Sequence, residues 1–459
     1  MRPDNVAAAP SFALDKFHRE RDDDGIDAPG KESRVKNLSP RLWLVLAIGY
    51  GLALVAAIPS VIPTLGLNSL NRWFIDSFAI LAANDAIRLG LNPWDANPLD
   101  IIGRAHVYSE WWFGLRHLGL TRDHNFLFGA VSIGLFLIVA LAGLRPRTVK
   151  EALLIAAVIL SPPFLLAFNR ANNDLLVFAL LGAGLLGLRS SNATWRWCVV
   201  VVTIALGTGL KYYPIVAVAA LGLIIRPTRR MILITGGASV AALGCFVLVA
   251  HAAPRGMLDL PASVYLFGAT ELLRGLGLTN GGKTVVATFI LGVSGCALAF
   301  GGVTRGLADE TRGSIQERAM FAVGALLLSG CFVAGSSYAY RWIFSLWLWP
   351  WLWRESQQHA GGKLPRLALA LLGISLWADG IFCLVVNLSG RWQWEQVTQA
   401  INFWSYVTQP LVWLLMGLLA GWLVDALRAT VCTLREDFRP VSTPPASADR
   451  SATAASQPG

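Results

Sequence analysis

The chain reads as an all-α membrane protein: a polytopic bundle of transmembrane helices with a long, structured first exoplasmic loop. Three observations predict this. The 459 residues are 55% hydrophobic and only 14% charged, where soluble domains carry about a quarter charged residues. Mean hydropathy is +0.54, and a water-soluble fold this apolar would expose large greasy patches. The apolar stretches run continuously instead of alternating, which rejects a β-barrel. Helices then remain as the way to satisfy the backbone in hydrocarbon. The same continuity excludes a soluble enzyme carried on a single anchor.

Taken in order, residues 1–41 mix acidic and basic side chains with Pro and Gly and are predicted to be a disordered cytoplasmic tail. They do not read as a cleavable signal peptide, so the first apolar run is expected to act as an uncleaved signal anchor. A membrane domain follows over 42–428. A crossing needs ~20 apolar residues, which predicts about twelve spans. They lie near 42–64, 125–144, 151–168, 174–189, 196–210, 214–226, 231–251, 284–303, 319–335, 342–353, 366–388 and 403–425. The runs at 214–226 and 342–353 are short and are expected to be tilted, re-entrant or extended by neighbours. A second disordered cytoplasmic tail is predicted over 429–459, which becomes rich in Ser, Ala, Pro and Thr.

Several of the 18 Trp (Trp43, Trp73, Trp195, Trp197, Trp353) sit at ends of apolar runs, where an amphipathic ring suits the headgroup layer. The net charge of +10 is carried mainly in short gaps between apolar runs. Arg145, Arg147 and Lys150 fill one such gap, Arg189 and Arg196 another, and Arg354, Lys363 and Arg366 a third. That is the positive-inside pattern of cytoplasmic loops, not the basic face of a nucleic-acid binder. It predicts cytoplasmic termini. The six cysteines are scattered singly, without metal-ligand spacing, and read as small buried hydrophobes.

The opposite, exoplasmic side carries the chemistry. The loop at 65–124 is too long for a plain connector. Residues 73–90 suit a helix lying on the outer membrane surface, and a second is expected near 102–118 with Trp111 and Trp112 facing headgroups. Asp76 opens the first helix and is a candidate general base, the alternative being an ordinary solvated or helix-capping carboxylate. Asp85 and Asp95 in the same loop are substrate-binding candidates. The turn Asn169-Arg170-Ala171-Asn172-Asn173-Asp174 packs polar groups where they line a cavity or cap a helix. Arg170, Asn172 and Asp174 are candidates there. Lys211-Tyr212-Tyr213-Pro214 places a cation against the charge bias, with an anion such as phosphate as its natural partner. Tyr338-Ala339-Tyr340-Arg341 adds Tyr340 and an arginine able to hold phosphate bidentately. Arg170, Lys211 and Arg341 thus stand at outer ends of different spans. The alternative for each is a lipid headgroup contact. Asp379 sits mid-span as a secondary candidate. His106, His117 and His124 lack ligand spacing, and no metal or cofactor is expected.

These elements resemble the multi-spanning glycosyltransferases of GT-C type, and within them glycosyltransferase family 87, which is similar to bacterial polyprenyl-phosphate-mannose-dependent mannosyltransferases. The resemblance rests on Asp76-Ser77-Phe78 through Gly90-Leu91-Asn92-Pro93-Trp94, the Asn-rich turn 169–174, Lys211-Tyr212-Tyr213-Pro214, and Tyr338-Ala339-Tyr340-Arg341 leading to Pro350. It covers about residues 42–355, with Ser77 and Trp94 as departures. It implies a hexosyltransferase in the bacterial plasma membrane with an exoplasmic active site. The donor would be a polyprenyl-phosphate sugar, with mannose as the sugar the resemblance implies, and the acceptor an envelope lipid, glycan or protein. Asp76 would be the base of an inverting transfer, and Lys211, Arg341 and Arg170 would face the leaving phosphate. The alternative class is a membrane carrier or flippase for lipid-linked or anionic substrates.

Overall fold

A computed structural model describes residues 38–67, 72–224, 236–237, 239–244, 247, 265–273, 276–358, 362–390 and 394–437. The helices with described bounds are α1 (Pro40–Ala57), α2 (Val61–Thr64), α3 (Ile75–Arg88), α4 (Asn125–Gly143), α5 (Val149–Ile159), α6 (Pro162–Arg170), α7 (Asp174–Gly187), α8 (Ala193–Leu210), α9 (Ala217–Ile224), α10 (Thr270–Leu273), α11 (Asn280–Phe300), α12 (Ile315–Ala334), α13 (Trp349–Ser356), α14 (Lys363–Ser389) and α15 (Trp394–Asp437). Tighter 3-10 segments occupy Glu110–Leu118, Tyr213–Val216 and Ala339–Trp347. Among the described residues the strands form one antiparallel ribbon, β1 (Leu266–Phe267) with β2 (Ser337–Tyr338), Leu266 opposite Tyr338.

Local chemistry sets the boundaries. Ser39 accepts from the Leu42 amide and Pro40 opens α1, as suits an N-terminus whose first amides lack helical partners. Ser314 and Glu317 cap α12 reciprocally. Pro162 opens α6, and the chain bends 52° between α5 and α6, because proline supplies no amide to continue the α5 ladder.

Helix α12 lies in the middle: 61% of its apolar window is buried, against 11% for α1. It packs on α9, α15 and the 339–347 segment, while α7 packs on α4 and α8. In the core Phe178 stacks on Trp347, ring centroids 4.4 Å apart, and Phe136 packs tilted against Phe178 at 4.6 Å. The outer faces of α1, α4, α11 and α14 keep Tyr50, Phe126, Phe289 and Leu388 exposed. Apolar rims of this kind belong against lipid.

The all-α membrane bundle is present, but a count of about twelve spans is not confirmed. Among the described residues six helices are long and apolar enough to cross a membrane, or seven if the bent pair α5–α6 is one span. Helix α7 has 14 residues, about 21 Å against ~30 Å of hydrocarbon. The run at 342–353 is a buried 3-10 segment followed by the short α13. The run at 231–251 lies largely outside the described residues. Apolarity therefore marked burial in protein as well as burial in lipid.

Further differences concern the first loop and the tail. Helix α3 is enclosed by protein and presents no broad free face. Asp76, Ser77, Ile80, Leu81, Asn84 and Ala86 are all buried by protein. Trp112 is also buried, its indole N–H donating to Leu210 O at 3.0 Å, while Trp111 stays part-exposed. Trp43, Trp73 and Trp195 are exposed, but Trp197 is core. Helix α15 continues to Asp437, so 429–437 is helical. Residues 1–37 and 438–459 lie outside the described residues. Cys331 and Cys383 are buried as expected, whereas Cys198, Cys296 and Cys432 are exposed.

Candidate functional site

Among the described residues, two non-glycine positions adopt left-handed backbone, Phe74 (φ 62°) and Ala171 (φ 43°). Such geometry costs of order 1–3 kcal/mol each and persists where the surroundings impose it. Phe74 immediately precedes α3 and Ala171 separates Arg170 from Asn172. The Phe74 amide donates to Asn169 O at 2.6 Å, tying the two turns together. Their side chains then converge on one carboxylate.

That carboxylate is Asp76, 2% exposed in the first turn of α3. Arg170 donates to it through Nε (2.9 Å) and Nη2 (2.8 Å). Arg104 donates at 3.1 Å and Asn172 at 2.7 Å. Arg104 is itself braced by Asp100 and by Ile75 O. Burial pushes the Asp76 carboxyl up, but the guanidiniums of Arg170 and Arg104 and the Asn172 amide outweigh it and hold the group below the usual carboxylate range.

Asn172 also accepts from the Asp174 amide at 3.0 Å, leading to a second charge cluster. Asp174 is fully buried at the start of α7. Arg341 donates to both its oxygens at 2.9 and 2.8 Å, Tyr213 donates at 2.7 Å, and Lys211 pairs with it closely. Lys211 also donates to Asn173 Oδ1 at 2.6 Å. Burial drives the Lys211 ammonium down to about 8, opposed by Asp174 and helped by Arg341. Tyrosine rings fill the space between clusters. Lys211 Nζ lies 5.3 Å from the Tyr108 ring and 5.8 Å from that of Tyr340, and Arg170 lies 4.8 Å from that of Tyr338.

Arg104, Arg170, Lys211 and Arg341 face Asp76, Asp100 and Asp174, so among the described residues four cations meet three carboxylates. Asn169 Nδ2, Asn173 Nδ2 and Arg341 Nε are buried donors without a protein acceptor among the described residues. Buried donors ordinarily find acceptors. A surplus cation and three spare donors suit a ligand rich in anionic or hydroxyl oxygens.

Asp76, Arg170, Asn172, Asp174, Lys211, Tyr340 and Arg341 are thus brought together. Asp85 is not: it sits at the far end of α3, holding Arg122 at 3.1 Å and Arg88 at 3.0 Å. Asp95 is exposed and accepts from Asn92 in its own turn. Tyr212 is only half-buried, and its neighbour Tyr213 makes the bond to Asp174. Sequence reasoning missed Arg104, Asp100, Tyr108 and Tyr213. Tyr213 was legible in the Lys-Tyr-Tyr-Pro element, while Arg104 and Tyr108 occupy irregular chain that carries no periodic signal. His106 is buried, with Nε2 3.2 Å from Ser109 O. Asp379 accepts from the Trp404 indole N–H at 3.1 Å, away from both clusters. Comparison of the chain with family models, with curated proteins and with solved structures finds no match.

Proposed function

We propose that the protein is a membrane hexosyltransferase that moves a sugar, mannose by its resemblance, from a polyprenyl phosphate to an envelope acceptor on the exoplasmic face of a bacterial plasma membrane. The observation that carries this reading is the convergence of Asp76 with Arg170, Lys211 and Arg341 in one buried network holding spare donors.

In the reaction the acceptor hydroxyl oxygen attacks the anomeric carbon. The new glycosidic bond forms as the bond from that carbon to the phosphate oxygen breaks. The electron pair leaves with the polyprenyl phosphate, and the hydroxyl proton passes to Asp76. Cations aimed at the leaving phosphate stabilise its developing charge in a low-dielectric site. Lys211, Arg341 and Arg170 fill that role here.

At rest Asp76 is a poor base, because Arg170 and Arg104 saturate it. A donor phosphate competes for Arg170. Once Arg170 turns to the phosphate, Asp76 loses its strongest partner and gains basicity. Binding of the donor therefore primes the base.

The test is transfer from a labelled polyprenyl-phosphate sugar by the purified protein in nanodiscs with an envelope extract. Donor-dependent labelling that disappears in Asp76→Asn supports the reading; labelling by that variant at the wild-type rate removes Asp76 from the mechanism, and no labelling by wild type removes the enzyme. One observation favours the carrier reading instead: a second polar cavity lies at the opposite ends of α4, α7 and α12. Transbilayer movement of the labelled donor without sugar transfer would select it.

A further inference from the structure

Helices α4, α7 and α12 each have one end beside the Asp76–Asp174 network. Their other ends meet around a cavity of about 910 Å³, which the N-terminus of α5 and helix α13 also line. The 20 residues of α12 separate the two sites, about 30 Å at 1.5 Å per residue.

Five guanidinium-bearing residues line this cavity: Arg145, Arg147, Arg189, Arg312 and Arg354. Its lining carboxylates are Glu151 and Glu317. Arg354 pairs closely with Glu317, Arg147 lies 3.7 Å from the same carboxylate, and Arg312 reaches Glu355 at 3.4 Å and Asp309 at 3.5 Å. Arg145 and Arg189 are different: among the described residues neither has a carboxylate partner. Arg189 is held by neutral oxygens, those of Gln316 (2.5 Å) and Ala142 (3.0 Å). Burial above all, and then the neighbouring Arg145 and Arg41 charges, lower its affinity for its proton. A second observation is independent of charge. Trp349 lines the cavity, is 5% exposed, and its indole N–H is buried without an acceptor among the described residues.

We propose that this cavity is a binding site for a phosphate-bearing ligand, held by Arg145 and Arg189 with the Trp349 indole N–H as a further donor. A guanidinium presents a planar fork that matches phosphate oxygens. Two such forks without internal counter-ions offer charge-assisted bonds that a cationic ligand cannot use, and together they present more donors than the two oxygens of a single carboxylate require. The phosphate belongs either to an anionic lipid headgroup or to a water-soluble molecule. The site stands apart from the sugar-transfer reading and survives its failure.

The test uses purified full-length protein in nanodiscs. In one arm the lipid is wholly zwitterionic and inorganic pyrophosphate is titrated by calorimetry. In the other, phosphatidic acid is added to the disc and its retention is read by native mass spectrometry. Saturable binding in the first arm identifies a soluble phosphate; retention in the second alone identifies a headgroup. In whichever arm binds, Arg145→Gln with Arg189→Gln should weaken binding by about tenfold or more. Arg196→Gln with Arg435→Gln removes the same charge outside the cavity and should leave binding intact. Absence of saturable binding in both arms, or equal loss in the two double variants, overturns the proposal.

Discussion

Asn172 Nδ2 donates to Asp76 Oδ2 across 2.7 Å, joining residues 96 positions apart in the chain. The same side chain accepts from the Asp174 amide, so one amide group links both charge clusters. Removing it should uncouple them. Asn172→Leu is expected to cost about 1–3 kcal/mol of stability, the penalty for buried partners left unpaired. Sugar transfer should fall more than donor binding does. Thermal melts alongside single-turnover assays measure the two effects separately.

Asp76→Asn should lower transfer by about 10²–10⁴-fold, the range for losing a general base. The variant keeps the shape of the carboxylate and leaves Arg170 free, so donor binding should be retained or tightened. Calorimetric titration with the donor checks this. A loss of donor affinity matching the loss of rate would make Asp76 a structural brace instead.

The burial of Lys211 gives a pH signature. Its folded value of about 8 lies below the ordinary 10.5, so folding disfavours its proton. The resulting penalty is fully present below pH 8 and is relieved as pH climbs from 8 towards 10.5. Its positive charge disappears over the same interval. Donor affinity should therefore decline as pH rises through 8, and Lys211→Met should abolish that decline.

Asp76 works in the opposite pH range. Its carboxyl is held below the usual value, so it contributes stability that is present above the ordinary carboxylate range and is lost as pH falls through the depressed folded value. Wild type should lose stability at the acid end more steeply than Asp76→Asn. Unfolding monitored by tryptophan fluorescence from pH 6 downward compares the slopes.

Gly129 on α4 leaves room for the Phe74 ring. A methyl group there would sit 2.5 Å from Phe74 Cδ2. Phe74 is the left-handed residue that launches α3, so Gly129→Ala should shift Asp76 without touching it. Overpacking of this kind costs about 1–3 kcal/mol, and transfer should fall while the protein still folds. By contrast, Asp85→Asn and Asp95→Asn should change kcat/KM less than about threefold, since Asp85 holds Arg88 and Arg122 apart from the network and Asp95 accepts only within its own turn.

The sequence alone determined the class of the molecule. Continuous apolar length and scarce charge are one-dimensional quantities, and they announce helices that need lipid or protein around them. It also flagged the polar turns at 169–174, 211–214 and 338–341, because isolated polar clusters between apolar runs stand out. Tertiary structure decided which apolar runs face lipid and which, like 342–353, are enclosed by neighbouring helices, since both environments select the same residue types. It alone paired Asp76 with Arg170 and Arg104, and Asp174 with Lys211, Tyr213 and Arg341. Those pairings depend on where distant helix ends meet, and no local pattern in the chain encodes a contact made across 96 or 167 residues.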